Sequence, residues 1–252
     1  MKLLTLARDL RRRKSRERHQ LFLAEGARTV DELLRSPLQA RGVLVGPQFE
    51  DNPRASAIRR ELERRGVPVE TVSDRDFDSA AETESPQGVL AIGVVPQRSL
   101  DDISRERRVL LLVLDAVQDP GNVGTILRTA AALGATATAA LPGTVDLWNA
   151  KVVRSGMGSQ FYHPCLSVTW DELDTFRAAR GLTVWAADAA GEPLGAAGPP
   201  EQLALVVGNE GSGLSPAARA RADRLVSLPI SHAVESLNVA VATGILLYEL
   251  RQ

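Results

Sequence analysis

The sequence is poor in the residues that staple a fold through covalent bonds or metals. It has one cysteine, Cys165, and three histidines in 252 residues. A single thiol can neither form an internal disulfide nor supply a thiolate zinc site. The histidines, His19, His163 and His232, show no metal-ligand spacing. We therefore expect neither a disulfide framework nor a bound metal.

Long apolar segments are also missing. The apolar run at the N-terminus is interrupted by charge at Arg8, too early for a signal peptide, and no other run reaches membrane-spanning length. Together with the free cysteine, this predicts a cytoplasmic protein. Aromatic residues make up only 4% of the chain, so leucine, valine and alanine must provide most of the core.

The total charge gives no indication of nucleic-acid binding, because the formal net charge is −1. The distribution does, since basic residues concentrate close to the N-terminus. The cluster comprises Arg8, Arg11, Arg12, Arg13, Lys14, Arg16 and Arg18. Such a local cluster either attracts phosphates or forms a solvated, charge-rich helix face, and both interpretations stay open.

Residues 1–97 read as a small α/β unit in which strand and helix patterns alternate, which predicts a mostly parallel sheet. The composition between Pro96 and Arg108 turns polar, which predicts a linker over 98–107. A second α/β domain over 108–252 follows, with about five parallel strands. Its apolar runs are Val109–Leu114, Ala135–Leu141, Leu182–Ala187, Leu203–Val207 and Leu225–Pro229.

Three loops follow strands of this second domain, where parallel sheets place ligand sites. In the first, Asn122 is expected to cap a helix that runs to Gly134. On that helix Arg128 has apolar neighbours and needs an anion, either an acidic residue of the fold or a phosphate.

The second loop holds glycines 208, 211 and 213, which leave backbone amides open to a ligand or form an ordinary tight turn. It lacks the Lys-Ser/Thr of a phosphate-binding loop. The third loop leads into a helix that is apolar nearly all round and is therefore expected to be buried. Ser236 would cap that helix well, whereas Asn238 is not expected to cap the same end.

Taken in order, the three segments resemble the SpoU/TrmH family of RNA ribose 2′-O-methyltransferases, within the SPOUT superfamily. The motifs are Asn122-x-Gly124-x-x-x-Arg128-Thr129-Ala130, then Gly208-x-Glu210-Gly211-x-Gly213-Leu214-Ser215, then Ser236-Leu237-Asn238-Val239 leading into Tyr248-Glu249. The resemblance covers roughly residues 108–252. The N-terminal part is less specifically similar to the family's substrate-binding domain, a small ribosomal-protein-like α/β unit.

The resemblance implies a catalytic domain with a parallel sheet and a deep trefoil knot, an exception to the rule that chains do not thread their own loops. It implies S-adenosylmethionine as methyl donor, with no metal. The donor-binding residues would be Gly208, Glu210, Leu228, Pro229, Leu237 and Asn238. The catalytic group would comprise Asn122, Arg128, Glu210, Ser236 and Asn238. A guanidinium hardly loses its proton, so we expect Arg128 to hold phosphate and orient the ribose rather than act as a general base.

The same resemblance implies a homodimer whose active site borrows the partner subunit. It also implies an RNA-facing stretch at Lys151, Arg154, Ser155 and Gly156. The basic cluster near the N-terminus is a separate candidate, which rests on its charge. The extra N-terminal domain favours 23S ribosomal RNA over tRNA as substrate. A tRNA methyltransferase and a non-catalytic RNA-binding protein that keeps the fold are the alternatives. A dinucleotide-binding oxidoreductase is disfavoured, because Gly121-Asn122-Val123-Gly124 does not match its glycine fingerprint.

Overall fold

The chain divides into two compact units. A computed structural model describes residues 2–194, 198–231 and 236–251. The first unit comprises Met1–Gln97 with Trp148–Tyr162, and the second comprises Arg98–Leu147 with His163–Gln252.

The secondary structure alternates along most of the chain. The helices are α1 (Leu3–Leu10), α2 (Arg13–His19), α3 (Ala27–Arg35), α4 (Ala55–Arg65), α5 (Asp74–Ala80), α6 (Pro120–Ala132), α7 (Ala150–Ser155), α8 (Trp170–Arg180), α9 (Pro216–Arg221) and α10 (Val239–Leu250). The strands are β1 (Leu21–Glu25), β2 (Ala40–Val45), β3 (Val69–Thr71), β4 (Val89–Val94), β5 (Val109–Leu114), β6 (Ala137–Ala140), β7 (Cys165–Ser167), β8 (Thr183–Pro193), β9 (Gln202–Val207) and β10 (Arg224–Ser227).

The predicted extent of the second domain was wrong in one segment, because residues 148–162 pack in the first unit. The physical reason is packing between aromatic rings. The ring of Phe22 on β1 lies 4.6 Å from Trp148 and 5.5 Å from Phe161, centroid to centroid. Ala150 also lies in the core of the first unit.

The sheet of the first unit has the order β1-β4-β2-β3. Strand β4 is antiparallel to both β1 and β2, and only β2 and β3 pair in parallel. The prediction of a mostly parallel sheet was therefore wrong. Strand β4 is buried along nearly its whole length, as parallel strands are, so its apolar run does not reveal its direction.

Local sequence explains the helices of this unit. Val30, Leu33 and Leu34 form the buried stripe of α3. Helix α4 ends at Gly66, whose φ of 63° is the left-handed conformation that glycine adopts without strain.

The second unit is built on a fully parallel sheet with the order β10-β8-β9-β5-β6-β7. Its described residues form six strands rather than the predicted five or so, because β7 spans only three residues and gives almost no apolar signal. The central strands β5 and β9 are almost entirely buried, which matches their continuous apolar runs.

The predicted linker at 98–107 is part of the second unit. A short 3-10 turn over Leu100–Ile103 begins with a capping box between Ser99 and Asp102. Both Leu100 and Ile103 are buried in the core of this unit. The polar composition of residues 98–107 gave no indication in the sequence that Leu100 and Ile103 would be buried. Within the described ranges, no helix is long and apolar enough to span a lipid bilayer.

Candidate active site

The first of the three loops leaves the carboxyl end of β5 and enters α6. Asp119, not Asn122, caps the helix: its Oδ1 accepts a hydrogen bond from the backbone N–H of Asn122 at 2.7 Å, and Pro120 follows as the first helical residue. The predicted cap was thus three residues late. Because Asn122 does not cap this helix, its side chain is available to the neighbouring loops.

The second loop leaves β9 and is closed by its own backbone. Asn209 and Gly213 exchange two backbone hydrogen bonds of 2.9 Å. A side chain at Gly208 would place its Cβ 2.5 Å from the carbonyl of Gly213, so only glycine fits there. The Asn209 Oδ1 also accepts from the backbone amides of Gly211 and Ser212, at 2.9 and 3.0 Å. The turn is therefore specified by an Asx interaction.

Two further bonds tie the first loop to the second. The buried carboxylate of Asp115 accepts from the backbone N–H of Ser215 at 2.7 Å. The side-chain amide of Asn209 donates to the carbonyl oxygen of Ala116 at 2.9 Å. Ala116 itself adopts a φ of 58°, unusual for a residue with a side chain. The two loops thus form one hydrogen-bonded assembly.

The third segment is anchored at the start of α10. Residues 232–235, which belong to the third loop, lie outside the described residues. Asn238 is the N-cap of α10, and its Oδ1 accepts from the backbone amides of Ala240 and Val241 at 2.9 and 3.3 Å. The expectation that Asn238 would not cap this helix was wrong. Its short side chain suits the cap, and the cap leaves the amide nitrogen free to reach another loop.

The three segments meet through side chains. The Asn122 Nδ2 donates to the Oε1 of Glu210 at 2.7 Å. The Asn122 Oδ1 accepts from the Nδ2 of Asn238 at 3.0 Å. Asn122 therefore bridges the second and third motifs. This polar set lies at the edge of the sheet where the parallel strands have their carboxyl ends.

The other predicted site residues lie in or next to the same three segments of the chain, and they differ in exposure. Arg128 lies exposed on α6, and Ser236 is exposed just before α10. Gly208 and Leu228 are half-buried, whereas Pro229 and Leu237 are exposed. Gly211 has open space on its Cα apart from the Asn209 side chain at 3.6 Å. Pro229, Leu237 and the Cα of Gly211 are therefore accessible to a ligand.

Helix α10 is buried on one face only. Leu246, Leu247 and Leu250 are buried, but Val241 and Tyr248 are 51% and 50% exposed. The expectation of a fully buried helix was wrong for the single chain. The exposed stripe borders a groove against α6, lined by Thr125, Thr129, Ala240, Val241, Gly244, Ile245 and Tyr248.

The family model described as the SpoU rRNA methylase family matches residues 109–248. The chain belongs to this family. A second model, described as an MRM3-like substrate binding domain, matches residues 5–91 of this SpoU family chain.

Individual SpoU relatives cover most of the chain. The 23S rRNA (guanosine(2553)-2′-O)-methyltransferase RlmP of Bacillus subtilis (strain 168) is 38% identical over 97% of this chain and 94% of its own length. The 23S rRNA (guanosine-2′-O-)-methyltransferase RlmB of Pasteurella multocida (strain Pm70) is 33% identical over 79% of this chain and 85% of its own length. The crystal structure of the AdoMet-bound rRNA methyltransferase from Sinorhizobium meliloti superposes with a TM-score of 0.85, at 29% identity, over 99% of this chain and 94% of that one.

In the first unit of this SpoU chain, the basic cluster near the N-terminus is only partly available to a ligand. Arg16 is buried, and its guanidinium donates to the carbonyl oxygens of Leu10 and Arg11 at 2.8 and 2.9 Å. It holds the turn between α1 and α2, so its predicted place among RNA-facing residues was wrong. The cluster residues whose side chains stay exposed are Arg8, which pairs with Asp76, and Arg11, Arg12, Arg13, Lys14 and Arg18.

Arg154, also predicted to face RNA, lies on α7 beside a buried carboxylate of the same unit. Its Nη1 is 3.8 Å from an oxygen of Glu25, whose side chain is 3% exposed. The backbone amides of Glu82 and Thr83 donate to the same carboxylate. About a third of the Arg154 side chain remains exposed, so an outer face is left for a phosphate.

One titratable group of the second unit, His163, lies outside the three motifs and is buried. Burial lowers the pKa of His163 to about 4, and its Nε2 lies 2.8 Å from the Thr138 hydroxyl. Among the described residues, no group of three or more His, Cys, Asp or Glu side chains is placed to hold a metal ion.

Sequence reasoning missed Asp115, Asp119 and Asn209, which position the motif residues rather than belong to them. Asp119 had a readable signal, since an Asp-Pro pair is typical of an N-cap followed by proline at the first helical position. Asn209 before a glycine also favours an Asx turn. The role of Asp115 depends on a partner 100 residues away, which no local pattern reveals.

Proposed function

We propose that this chain transfers a methyl group from S-adenosylmethionine to the ribose 2′-hydroxyl of a guanosine in 23S ribosomal RNA. The observation that carries the proposal is the hydrogen-bonded bridge from Glu210 through Asn122 to Asn238. It joins three separated motifs in a chain whose relatives over most of its length are named as enzymes of this activity.

The methyl donor would lie at the carboxyl edge of the parallel sheet. The AdoMet-bound relative supports this choice of donor. The adenine would contact Gly208 and Leu228, which are half-buried, and Pro229 and Leu237, which are exposed. The rigid turn built by Asn209 keeps the backbone of Gly208 in place. When bound, S-adenosylmethionine supplies an electrophilic methyl group on sulfur.

The residues of the chain align the acceptor hydroxyl with that methyl group, and alignment is a large part of such catalysis. The guanidinium of Arg128 holds a phosphate next to the target ribose and orients the sugar. Asn122 fixes the Glu210 carboxylate, and Asn238 fixes Asn122. Ser236, exposed beside Asn238, provides a further hydroxyl at the mouth of the site.

We also propose that the second unit contains a deep trefoil knot. The sheet order supports this, because β10 lies at an edge while the motif residue Asn238, only eleven positions after Ser227, bonds to the loop that follows the inner strand β5. A tail that returns to the middle of the sheet is what such a knot requires.

A homodimer would cover the exposed stripe of α10. Val241, Ile245 and Tyr248 are 40% or more exposed, and apolar side chains in a continuous row usually mark an association surface. A second copy of the chain, pairing the same face, is the simplest occupant because isologous dimers are the commonest oligomers.

The first unit would bind the RNA. Its match to a substrate-binding domain and its exposed arginines near the N-terminus support this role. The remaining exposed face of Arg154 is a further phosphate contact of the same unit. The bacterial relatives act on ribosomal RNA, whose assembly is cytoplasmic in bacteria, and we place this protein in the same compartment.

The test is methylation mapping. RNA from cells with and without the gene is compared by a method that reports 2′-O-methyl positions, and the purified protein is assayed with radiolabelled S-adenosylmethionine on a 23S fragment. We expect one guanosine to lose its ribose methyl in the deletion strain. A methyl group on a base, with the ribose unchanged, would contradict the reaction, and loss of a tRNA methyl instead would move the substrate to tRNA.

A further inference from the structure

Strand β8 carries an insertion at its carboxyl end. Ala186 pairs with Leu225 of β10, but the next pair joins Glu192 to Val226, so residues 187–191 have no counterpart on β10. Because β8 lies between β10 and β9, this insertion emerges between the strands that lead to the third motif and to the glycine-rich loop. None of its residues belongs to a motif.

The insertion is a bulge of β8 that packs closely against β10. A Cβ at Gly191 would lie 2.7 Å from the backbone of Leu225 and Val226, so the bulge lies directly against β10. The hydroxyl of Ser227 donates to the carbonyl oxygen of Gly191 at 2.8 Å. Inside the bulge, the Oδ1 of Asp188 accepts from the backbone N–H of Ala190 at 2.9 Å.

The other carboxylate oxygen of Asp188 is used at longer range. Its Oδ2 lies 2.5 Å from the Nη2 of Arg219 on α9, and the Asp188 side chain is only 9% exposed. Because Asp188 is largely buried, removing Arg219 would leave its carboxylate without a counter-charge, which is costly. The same Nη2 lies 4.0 Å from the position that a Cβ of Gly213 would take. Arg219 therefore stands between the bulge at Asp188 and the last glycine of the glycine-rich loop.

We propose that Asp188 and Arg219 are positioning residues that brace the loop over residues 208–213 in its donor-binding shape. Gly213 closes that loop through its two backbone bonds with Asn209, so a guanidinium held beside Gly213 restricts the loop from opening. The Asp188–Arg219 pair is present in donor-free protein, and neither residue contacts the acceptor ribose; we call this pair the brace. The inference rests on the proposed function, because it assigns the loop to S-adenosylmethionine.

The experiment measures S-adenosylmethionine and S-adenosylhomocysteine affinity by calorimetry, amide hydrogen exchange of the loop in donor-free protein, and the KM and kcat of methyl transfer. The variants are Asp188→Asn, which keeps an oxygen for Ala190, and Arg219→Gln. We expect each to weaken donor affinity and raise KM roughly tenfold, to speed exchange over 208–213, and to leave kcat within about twofold. The double variant should be no worse than either single one.

The matched control is Arg221→Gln. Arg221 lies on the same helix but pairs with Asp174 of α8, at 2.8 Å, away from the β8 insertion. Unchanged loop exchange and donor affinity in both test variants would overturn the brace, as would an equal loss in Arg221→Gln, which would indicate general loosening of α9. If Asp188→Asn does not fold, Arg219→Lys tests the same contact with charge retained. Failure of the wild type to bind S-adenosylmethionine would contradict the proposed function, whereas the exchange data on donor-free protein still decide the brace.

Discussion

The side-chain amide of Asn238 donates a hydrogen bond to Asn122 across 116 residues of sequence. Each of the two asparagines uses both ends of its amide. Asn238 caps α10 with its oxygen and reaches Asn122 with its nitrogen, while Asn122 accepts from Asn238 and donates to Glu210. An asparagine is needed at both positions, because a carboxylate could accept but not donate and an aliphatic side chain could do neither.

Replacing Asn122 with aspartate should disrupt this bridge. The new carboxylate would lie against the Glu210 carboxylate, where an amide now donates at 2.7 Å, and two like charges at that distance repel. We expect methyl transfer to fall by at least about tenfold while the fold persists. The rate and the thermal midpoint are measured together.

The matched control is Asn149→Asp. Asn149 caps α7 by accepting from the backbone N–H of Lys151, a task that aspartate performs equally well. Equal activity of Asn122→Asp and the wild type would remove the bridge from the mechanism.

Replacing Arg128 with alanine should separate binding from turnover. Arg128 is exposed on α6 and is proposed to hold the RNA phosphate, not the methyl donor. We therefore expect S-adenosylmethionine affinity to stay within about threefold and kcat to fall roughly 100-fold or more. Arg128→Lys keeps a charge without the two-pronged geometry and should recover only part of the rate. Undiminished turnover in the alanine variant would exclude Arg128 from catalysis.

The sequence predicted the second unit well because its signals are local. Continuous apolar runs such as Val109–Leu114 mark buried parallel strands, and parallel strands bring the loops that follow them to one edge. The convergence of Asn122, Glu210 and Asn238 followed from that rule and from the family resemblance.

Three of the errors depend on partners distant in sequence, whereas the misplaced caps of α6 and α10 are local. The direction of β4 is set by which strands it joins, and its buried composition is the same in either direction. The membership of 148–162 depends on rings that meet Phe22. The exposed stripe of α10 is apolar like the buried face of the same helix, so the sequence does not distinguish the two faces.

Adding charge to the exposed stripe of α10 should dissociate the proposed dimer. Val241→Glu would place a carboxylate on that face, where Val241 is 51% exposed in the single chain. We expect the dissociation constant to rise about 100-fold or more, measured by analytical ultracentrifugation. Glu249→Lys changes charge at an exposed position of the same helix and serves as control. A protein that is monomeric before any substitution would contradict the dimer.

The basic cluster near the N-terminus should divide into two kinds of arginine. Arg16 is buried on two backbone carbonyls, so Arg16→Gln should lower the free energy of unfolding by about 2 kcal/mol. Arg12, whose side chain is 83% exposed, should tolerate the same change with a loss of less than about 0.5 kcal/mol in the free energy of unfolding.

For RNA binding we expect the opposite order, with Arg12 contributing more than Arg16. Arg12→Gln should weaken affinity and reduce the steepness of its salt dependence by about one charge, measured by titration at several salt concentrations. Equal stability loss in both variants would contradict this division.

The buried imidazole of His163 should make the second unit less stable in acid. Burial lowers its pKa from 6.5 to about 4. Between pH 6.5 and pH 4, His163 is therefore mostly protonated in the unfolded chain and mostly neutral in the folded chain. The contribution is fully present above pH 6.5, declines as the pH falls through that window, and is lost below about 4. The full difference corresponds to roughly 3 kcal/mol of unfolding free energy.

The test variant is His163→Gln, which keeps a polar group near Thr138 and removes the titration. Its free energy of unfolding should change less steeply than that of the wild type between pH 6.5 and 4.5, measured by urea titration at each pH. The variant should be the less stable protein at pH 7, and the gap should narrow as the pH falls. Parallel pH profiles for variant and wild type would show that His163 is not the group that titrates.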